Sequence, residues 1–250
     1  RIIKPFSPTP SSKRTHKLAF TDKVSKGEFG PIAFFYPNKG HSTPNTQSEI
    51  SQHLQESLSK TLTSYYPFAG TLIGSTHVDC DDRGVEFQQV RFNCSMSEIV
   101  NLPQSQFENS LFPKNLPWSY VDKQTLAVVQ LNHFECGGIA ISVCLTHKVA
   151  DGASMVNFIK DWASVSRDSS SLPQPQFIGA SLFPPLGDTG SIDEIDAQRD
   201  NYVAKCYRFS ASNLDSLKKR IINSASAHGS KINRFSSVDA VSSLLYRAAA

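Results

Sequence analysis

The chain has 250 residues, 39% apolar, and its 25 basic and 22 acidic side chains leave a net charge of +3. These are the proportions of an ordinary soluble globular protein, long enough to bury a sizeable core in one large domain or two small ones. The charges are scattered, the densest basic cluster is only Lys218-Lys219-Arg220, and no apolar run reaches the ~18 residues of a membrane span, so neither nucleic acid nor a membrane is an expected partner.

Five cysteines (Cys80, Cys94, Cys136, Cys144, Cys206) include no CxxC pair. They fit buried thiols in a reducing compartment better than a disulfide frame or zinc site, so a cytoplasmic protein is expected. Arg1-Ile2-Ile3-Lys4-Pro5 does not begin like a signal peptide, and the missing initiator Met points to a trimmed chain.

In chain order, residues 1–15 carry three prolines and many hydroxyls and read as an extended opening segment. The apolar, aromatic run from Pro31 to Tyr36, closed by Pro37, reads as a strand. Asn38 to Thr46 is a loop, and from Ser48 the recurrence of Ile50, Leu54, Leu58 and Leu62 every fourth residue predicts a helix, stopped before Pro67. Thr71 to Val90 is expected to form a hairpin with Asp81-Asp82-Arg83-Gly84 as its turn. Residues 101–120 are loop-like. Leu126 to Phe134 and Ile139 to Leu145 are then predicted as hairpin strands about Gly137-Gly138.

Met155, Phe158, Ile159 and Trp162 fall at helical spacing and predict an amphipathic helix over 153–164. Residues 164–200, rich in Ser, Pro and Asp, read as a long linker or mobile loop. A strand over Tyr202–Phe209, a helix from about Ser212 to Asn223 and another from about Ser236 complete the reading.

The chemistry centres on Val143-Cys144-Leu145-Thr146-His147, an apolar strand that delivers a histidine to its end, with Asp151 four residues later. A hydroxyl attacking a carbonyl is helped by a base that takes its proton during bond formation, and a neutral imidazole of pKa ~6.5 suits that task. Asp151 could orient the imidazole or fix the loop and cap the helix, and spacing leaves both open. The HxxxD spacing is weak alone, since seven His and fourteen Asp in 250 residues give about 0.4 chance matches. His77 and Asp81 repeat it beside a turn with no helix behind it, where a surface histidine is expected; a metal reading of His77, Asp79, Cys80 and Asp81 lacks enough correctly spaced oxygens. His133, Glu135 and Cys136 look like ligands on paper, but alternation sends Cys136 to the opposite face, so strand packing is expected. No GxSxG, GxxxxGK[ST] or strand-bound GxGxxG occurs, which leaves serine-hydrolase and nucleotide-cradle chemistry unsupported.

Thr146-His147-Lys148-Val149-Ala150-Asp151-Gly152, preceded by Phe134-Glu135-Cys136-Gly137-Gly138, resembles the hallmark of the plant BAHD acyl-CoA-dependent acyltransferases. Phe35-Tyr36-Pro37, Tyr66-Pro67-Phe68-Ala69-Gly70, Val78-Asp79-Cys80, Gly84-Val85-Glu86-Phe87 and Ser181-Leu182-Phe183-Pro184-Pro185 follow the family order. The Phe-Glu-Cys-Gly-Gly form is similar to members that acetylate alkaloid and other specialised-metabolite alcohols. Departures are Thr71 and Tyr246, where the family has Arg and Trp, and the absence of the second hallmark, DFGWG, which lies beyond residue 250 in the family.

The resemblance implies an α/β fold, a chloramphenicol-acetyltransferase-like mixed sheet with flanking helices, as one of two such domains in the complete enzyme. Residues 1–190 would be the N-terminal acyltransferase domain, and residues 191–250 a crossover linker and the start of the second. The implied activity is O-acyl transfer from acyl-CoA, acetyl-CoA first, to a hydroxyl of a plant specialised metabolite such as an alkaloid. His147 would be the general base and Asp151 a structural support paired with an arginine outside the chain. Acyl-CoA enters as co-substrate with no permanently bound cofactor, its contacts come mostly from the C-terminal half, and the enzyme is monomeric. Tyr36, Phe35 and Phe158 are candidates for the acceptor side, against a reading as core aromatics. Besides a purely structural or interaction protein, which would leave the apolar strand ending at His147 unexplained, two other readings stay open. One is a non-catalytic fragment or degenerate ligand-binding relative. The other is a condensation-domain-like acyltransferase, although Thr146 stands where such domains double the histidine.

Overall fold

In the computed structural model the described residues are 1–25, 27–38, 40, 44–101, 110–114, 116, 125–168, 170, 172–185, 207–229 and 234–249. The chain divides into two units, Arg1–Tyr202 and Val203–Ala250. In the first, strands β1 (Ile2–Ile3), β2 (Thr15–Lys17), β3 (Phe29–Tyr36), β4 (Thr71–Ile73), β5 (His77–Asp79), β6 (Val85–Phe92), β7 (Ala127–Phe134) and β8 (Ile139–Thr146) alternate with helices. The helices are α1 (Phe20–Val24), α2 (Pro44–Ser64), α3 (Met96–Val100), α4 (Gly152–Arg167) and α5 (Gly179–Leu182). The second unit holds α6 (Ala211–Ala227) and α7 (Ser237–Ala249).

The main sheet runs β1-β6-β7-β8-β3, and it is mixed: β6 and β7 are parallel, while β1, β8 and β3 pair antiparallel with their neighbours. Strand alternation sorts its side chains into two cores. Ala127, Val129, Leu131, Val143 and Leu145 meet Leu58 and Leu62 of α2 and Met155, Phe158 and Trp162 of α4. Val128, Phe134, Ala140 and Cys144 meet Met96, Ile99, Leu111 and Phe112 on the other face. β7 is buried along its whole length, and its Gln130 and Asn132 are satisfied internally. Gln130 Nε2 donates to Asn132 Oδ1 at 2.7 Å, Asn132 Nδ2 to Ser142 Oγ at 3.1 Å, and Ser142 Oγ to the Leu111 carbonyl at 2.7 Å.

Helix α2 and the residue that follows it are fastened to α4 by side chains as well as by apolar packing. Trp162 Nε1 donates to Ser57 Oγ at 3.0 Å and Tyr65 OH to Asp161 Oδ2 at 2.6 Å.

The expected hairpin over Thr71–Val90 is corrected. β4 turns at Gly74 and pairs with β5, and these two join β2 in a separate three-stranded sheet. The chain then crosses to the main sheet, where β6 finds β1 and β7. Asp81-Asp82-Arg83-Gly84 is therefore a crossover. Asp82 has φ 58° and accepts from Thr9 N at 2.9 Å and Thr9 Oγ1 at 2.6 Å. A Cβ on Gly84 (φ 100°) would lie 2.7 Å from the Ile3 carbonyl oxygen, which requires glycine there. The turn was legible, but its pairing depends on the opening segment, whose strands β1 and β2 are too short to show a period.

Other differences are local. α4 runs on to Arg167, and Phe177, within the expected linker, packs its ring on His16, Tyr65 and Tyr66. Of the expected strand over Tyr202–Phe209, residues 202–206 lie outside the described residues and 207–209 carry no strand. The expected domain boundary at 190/191 also lies outside them. α6 extends to Ala227, and α7 starts after Ser236, whose Oγ accepts from Asp239 N at 3.1 Å. Among the described residues no helix is long and apolar enough to cross a membrane.

The four cysteines among the described residues are free thiols. Burial pushes Cys144 up to about 12, and burial with Asp79 nearby does the same to Cys80. Cys136 is exposed. Iodoacetamide at pH 8 is therefore expected to alkylate Cys136 at least tenfold faster than Cys80 or Cys144, followed by peptide mass mapping. Equal rates would contradict this core.

Candidate active site

β8 is apolar to Leu145 apart from Ser142 and fully buried over its second half, so it fixes the position of the residues after it. Thr146 N donates to the Leu126 carbonyl at 3.0 Å and His147 N to the Glu28 carbonyl at 2.8 Å, which pins the backbone on both sides. Val149 N donates to the Thr146 carbonyl at 3.2 Å, turning the chain toward α4.

The ring of His147 is half-buried, and its Nδ1 lies 3.0 Å from the Ala150 carbonyl oxygen. A carbonyl oxygen only accepts, so this contact assigns the proton to Nδ1 and leaves Nε2 of the neutral ring with its lone pair. Nε2 faces Gly30 of β3, where an ideal Cβ would stand 3.2 Å away. The loop thus holds a histidine with one nitrogen anchored and the other available as a base.

Asp151 does not share that task geometrically. It is exposed, it is the N-cap of α4, and its Oδ1 accepts from Ser154 N at 2.7 Å rather than from His147. The Ser154 hydrogen bond holds its carboxyl below the usual carboxylate range. A group depressed in the folded state contributes stability that is present above its unfolded pKa and is lost as pH falls through the folded pKa. Asp151→Ala is expected to cost about 1 kcal/mol at neutral pH in urea unfolding, and less at pH 3, while Asp151→Asn keeps most of the cap. An alanine variant as stable as the parent at pH 7 would contradict the cap.

The second HxxxD pair is not assembled into a site. His77 Nδ1 meets Thr76 Oγ1 at 2.7 Å in β5, whereas Asp81 accepts from Thr71 Oγ1 at 2.9 Å and Arg83 N at 3.2 Å in the crossover. Among the described residues no group of three or more His, Cys, Asp or Glu could hold a metal ion. His133 packs into the sheet face, its Nδ1 buried without a hydrogen-bond partner, and burial with Arg91 nearby lowers its pKa. The alternation expected through Cys136 ends earlier, because β7 stops at Phe134 and Glu135 and Cys136 lie in the turn.

The aromatic candidates separate. Phe158 is fully buried in the core, and Phe35 is partly buried against the core of the opposite sheet face. Tyr36 borders an apolar cavity of about 560 Å³ together with Phe34, Ile139, Ile141, Ile159 and Trp162. Gly30 and the Ala150 carbonyl beside His147, and Phe34 at the separate apolar cavity, are the groups that reading by motif passes over. An isolated glycine inside a strand, which marks close approach by another group, is the signal that could have found Gly30.

A family model described as the Transferase family matches residues 1–250. The chain belongs to this family, the BAHD acyltransferases. It is 43% identical over 222 residues to acylsugar acyltransferase 3 of Solanum lycopersicum, covering 87% of this chain and 51% of that protein. It is 39% identical over 232 residues to diaboline synthase of Strychnos sp, covering 92% and 50%. The crystal structure of vinorine synthase superposes with a TM-score of 0.74 at 29% identity, over 96% of this chain and 56% of that one. The mixed sheet with flanking helices is therefore the chloramphenicol-acetyltransferase-like fold of these BAHD enzymes, and the chain spans about half the length of the curated relatives it matches.

Proposed function

We propose that the complete protein transfers an acyl group, acetyl in the first instance, from acyl-CoA to a hydroxyl of a plant specialised metabolite such as an alkaloid. The observation that carries this reading is the anchored imidazole, with Nδ1 on the Ala150 carbonyl and Nε2 left as acceptor beside Gly30. Nε2 of His147 takes the hydroxyl proton as the oxygen attacks the thioester carbonyl. The new C–O bond gives a tetrahedral oxyanion, the C–S bond breaks, and the proton passes from the imidazolium to the departing sulfur.

Asp151 supports the motif from the helix N-terminus. Its exposed carboxylate is available to an arginine from the remainder of the protein. Most coenzyme A contacts come from the C-terminal half, and the assembled enzyme works as a cytoplasmic monomer.

The test incubates the complete protein with acetyl-CoA and other acyl-CoAs against a panel of alkaloid and sugar alcohols, read by mass. An ester product with an alkaloid alcohol is expected, and the 250-residue chain alone is expected to form none. Failure of every acyl-CoA with every alcohol would overturn the reading.

A further inference from the structure

The space at His147 Nε2 is set by a neighbour that has no side chain. Gly30 lies on β3 opposite Leu145 in register, one position from the Phe29–Thr146 pair that leads to His147. A Cβ added there would stand 2.8 Å from Met155 Cε, 3.2 Å from His147 Nε2 and 3.7 Å from its Cε1. A hydroxyl hydrogen-bonded to Nε2 places its oxygen about 2.8 Å away. A methyl at 3.2 Å competes for the same shell around that nitrogen.

The imidazole cannot retreat easily. Its Nδ1 is held by the Ala150 carbonyl and its backbone N by Glu28. The thioether of Met155 can move, but the residue is buried in the core beneath α4, so its methyl has little room to go. A side chain at position 30 would therefore be pressed between the Met155 methyl and the base.

We propose that Gly30 is a positioning residue that, with Met155 as the opposing wall, fixes the clearance through which an acceptor hydroxyl reaches His147. The inference rests on the reading of His147 as the base, but its test does not depend on acyl transfer. Diethyl pyrocarbonate acylates the unprotonated nitrogen of accessible imidazoles and reports the clearance directly. The reference is His228, which is exposed and whose Nδ1 likewise faces a carbonyl, that of Ser224 at 2.8 Å.

In the complete protein, His147 should be carbethoxylated within about tenfold of the rate at His228, followed by peptide mass mapping. Gly30→Ala should slow labelling at His147 at least tenfold and leave His228 unchanged. Adding Met155→Leu, which withdraws the reach of Cε at nearly constant volume, should restore His147 to within about threefold of the parent. Met155→Leu alone should speed it severalfold, and this variant carries the test if Gly30→Ala does not fold. Labelling of Gly30→Ala at the parental rate, an unreactive His147 in the parent, or no response to Met155→Leu would overturn the proposal. Acyl transfer that survives His147→Ala would remove the base reading while leaving the labelling result standing.

Discussion

Replacing His147 with alanine is expected to lower kcat for acyl transfer by the complete protein by about 10²–10⁴-fold, the range that general base catalysis supplies. The substitution is clean in structural terms. The backbone N–H that donates to Glu28 stays, Thr146 and Leu126 keep their pairing, and the ring removed is only half-buried. KM for acyl-CoA should therefore change little, because most of its contacts are assigned to the C-terminal half. Asp151→Asn is the matched control: it keeps a cap at the start of α4 and touches neither ring nitrogen. It should retain more activity than His147→Ala at 25 °C. A His147→Ala enzyme within threefold of the parent in a steady-state assay would defeat the base assignment.

Phe158→Ala is expected to cost about 3–5 kcal/mol of stability, through lost transfer free energy and the cavity left behind. The ring is fully buried between α4, α2 and the sheet. It meets Tyr65 and Phe68 edge-on, each with ring centroids 5.2 Å apart, so no neighbour can slide in to fill the gap without breaking another contact. Phe158 lies one turn beyond Met155, and the same helix begins at the Asp151 cap. The variant should therefore loosen the wall beside His147 as well as the core. Denaturant unfolding at constant m-value measures the loss, and a shift below about 1 kcal/mol would show that α4 is not seated as described.

How much of this was legible depended on where the period of the chain was long enough to read. Leu54, Leu58 and Leu62 announced α2, and Met155, Phe158 and Trp162 announced α4, because each apolar face repeats through several turns and all but the partly buried Leu54 are buried. The β7 and β8 hairpin was equally plain, with Gly137 at φ 78° supplying the turn. The crossover at Asp81 to Gly84 was not, since its direction is set by Thr9 and Ile3, more than 70 residues earlier in the chain. Polar residues in β7 and β8 would argue against burial on composition alone, yet Gln130, Asn132 and Ser142 satisfy one another around the Leu111 carbonyl.

The site shows the same division. The place of His147 after a strand and before a helix was legible, because the apolar run and the helical period that flank it are local signals. Its tautomer was not readable, because it depends on the direction of the Ala150 carbonyl, a backbone group that no side-chain motif encodes. Asp151 was readable only as far as two alternatives, and the Ser154 amide decides for the cap. Gly30 is more than 100 residues from His147 in sequence, and only the pairing of β3 with β8 brings it to Nε2.

The central claim is that Nε2 of His147 takes the proton from the acceptor hydroxyl. Chemical rescue tests it most directly, by measuring acetyl transfer from acetyl-CoA in His147→Ala with increasing imidazole beside the parent enzyme. Activity that rises with the concentration of neutral imidazole in the variant, and stays flat in the parent, is the predicted result. A variant that transfers acetyl as fast as the parent without imidazole would contradict the account.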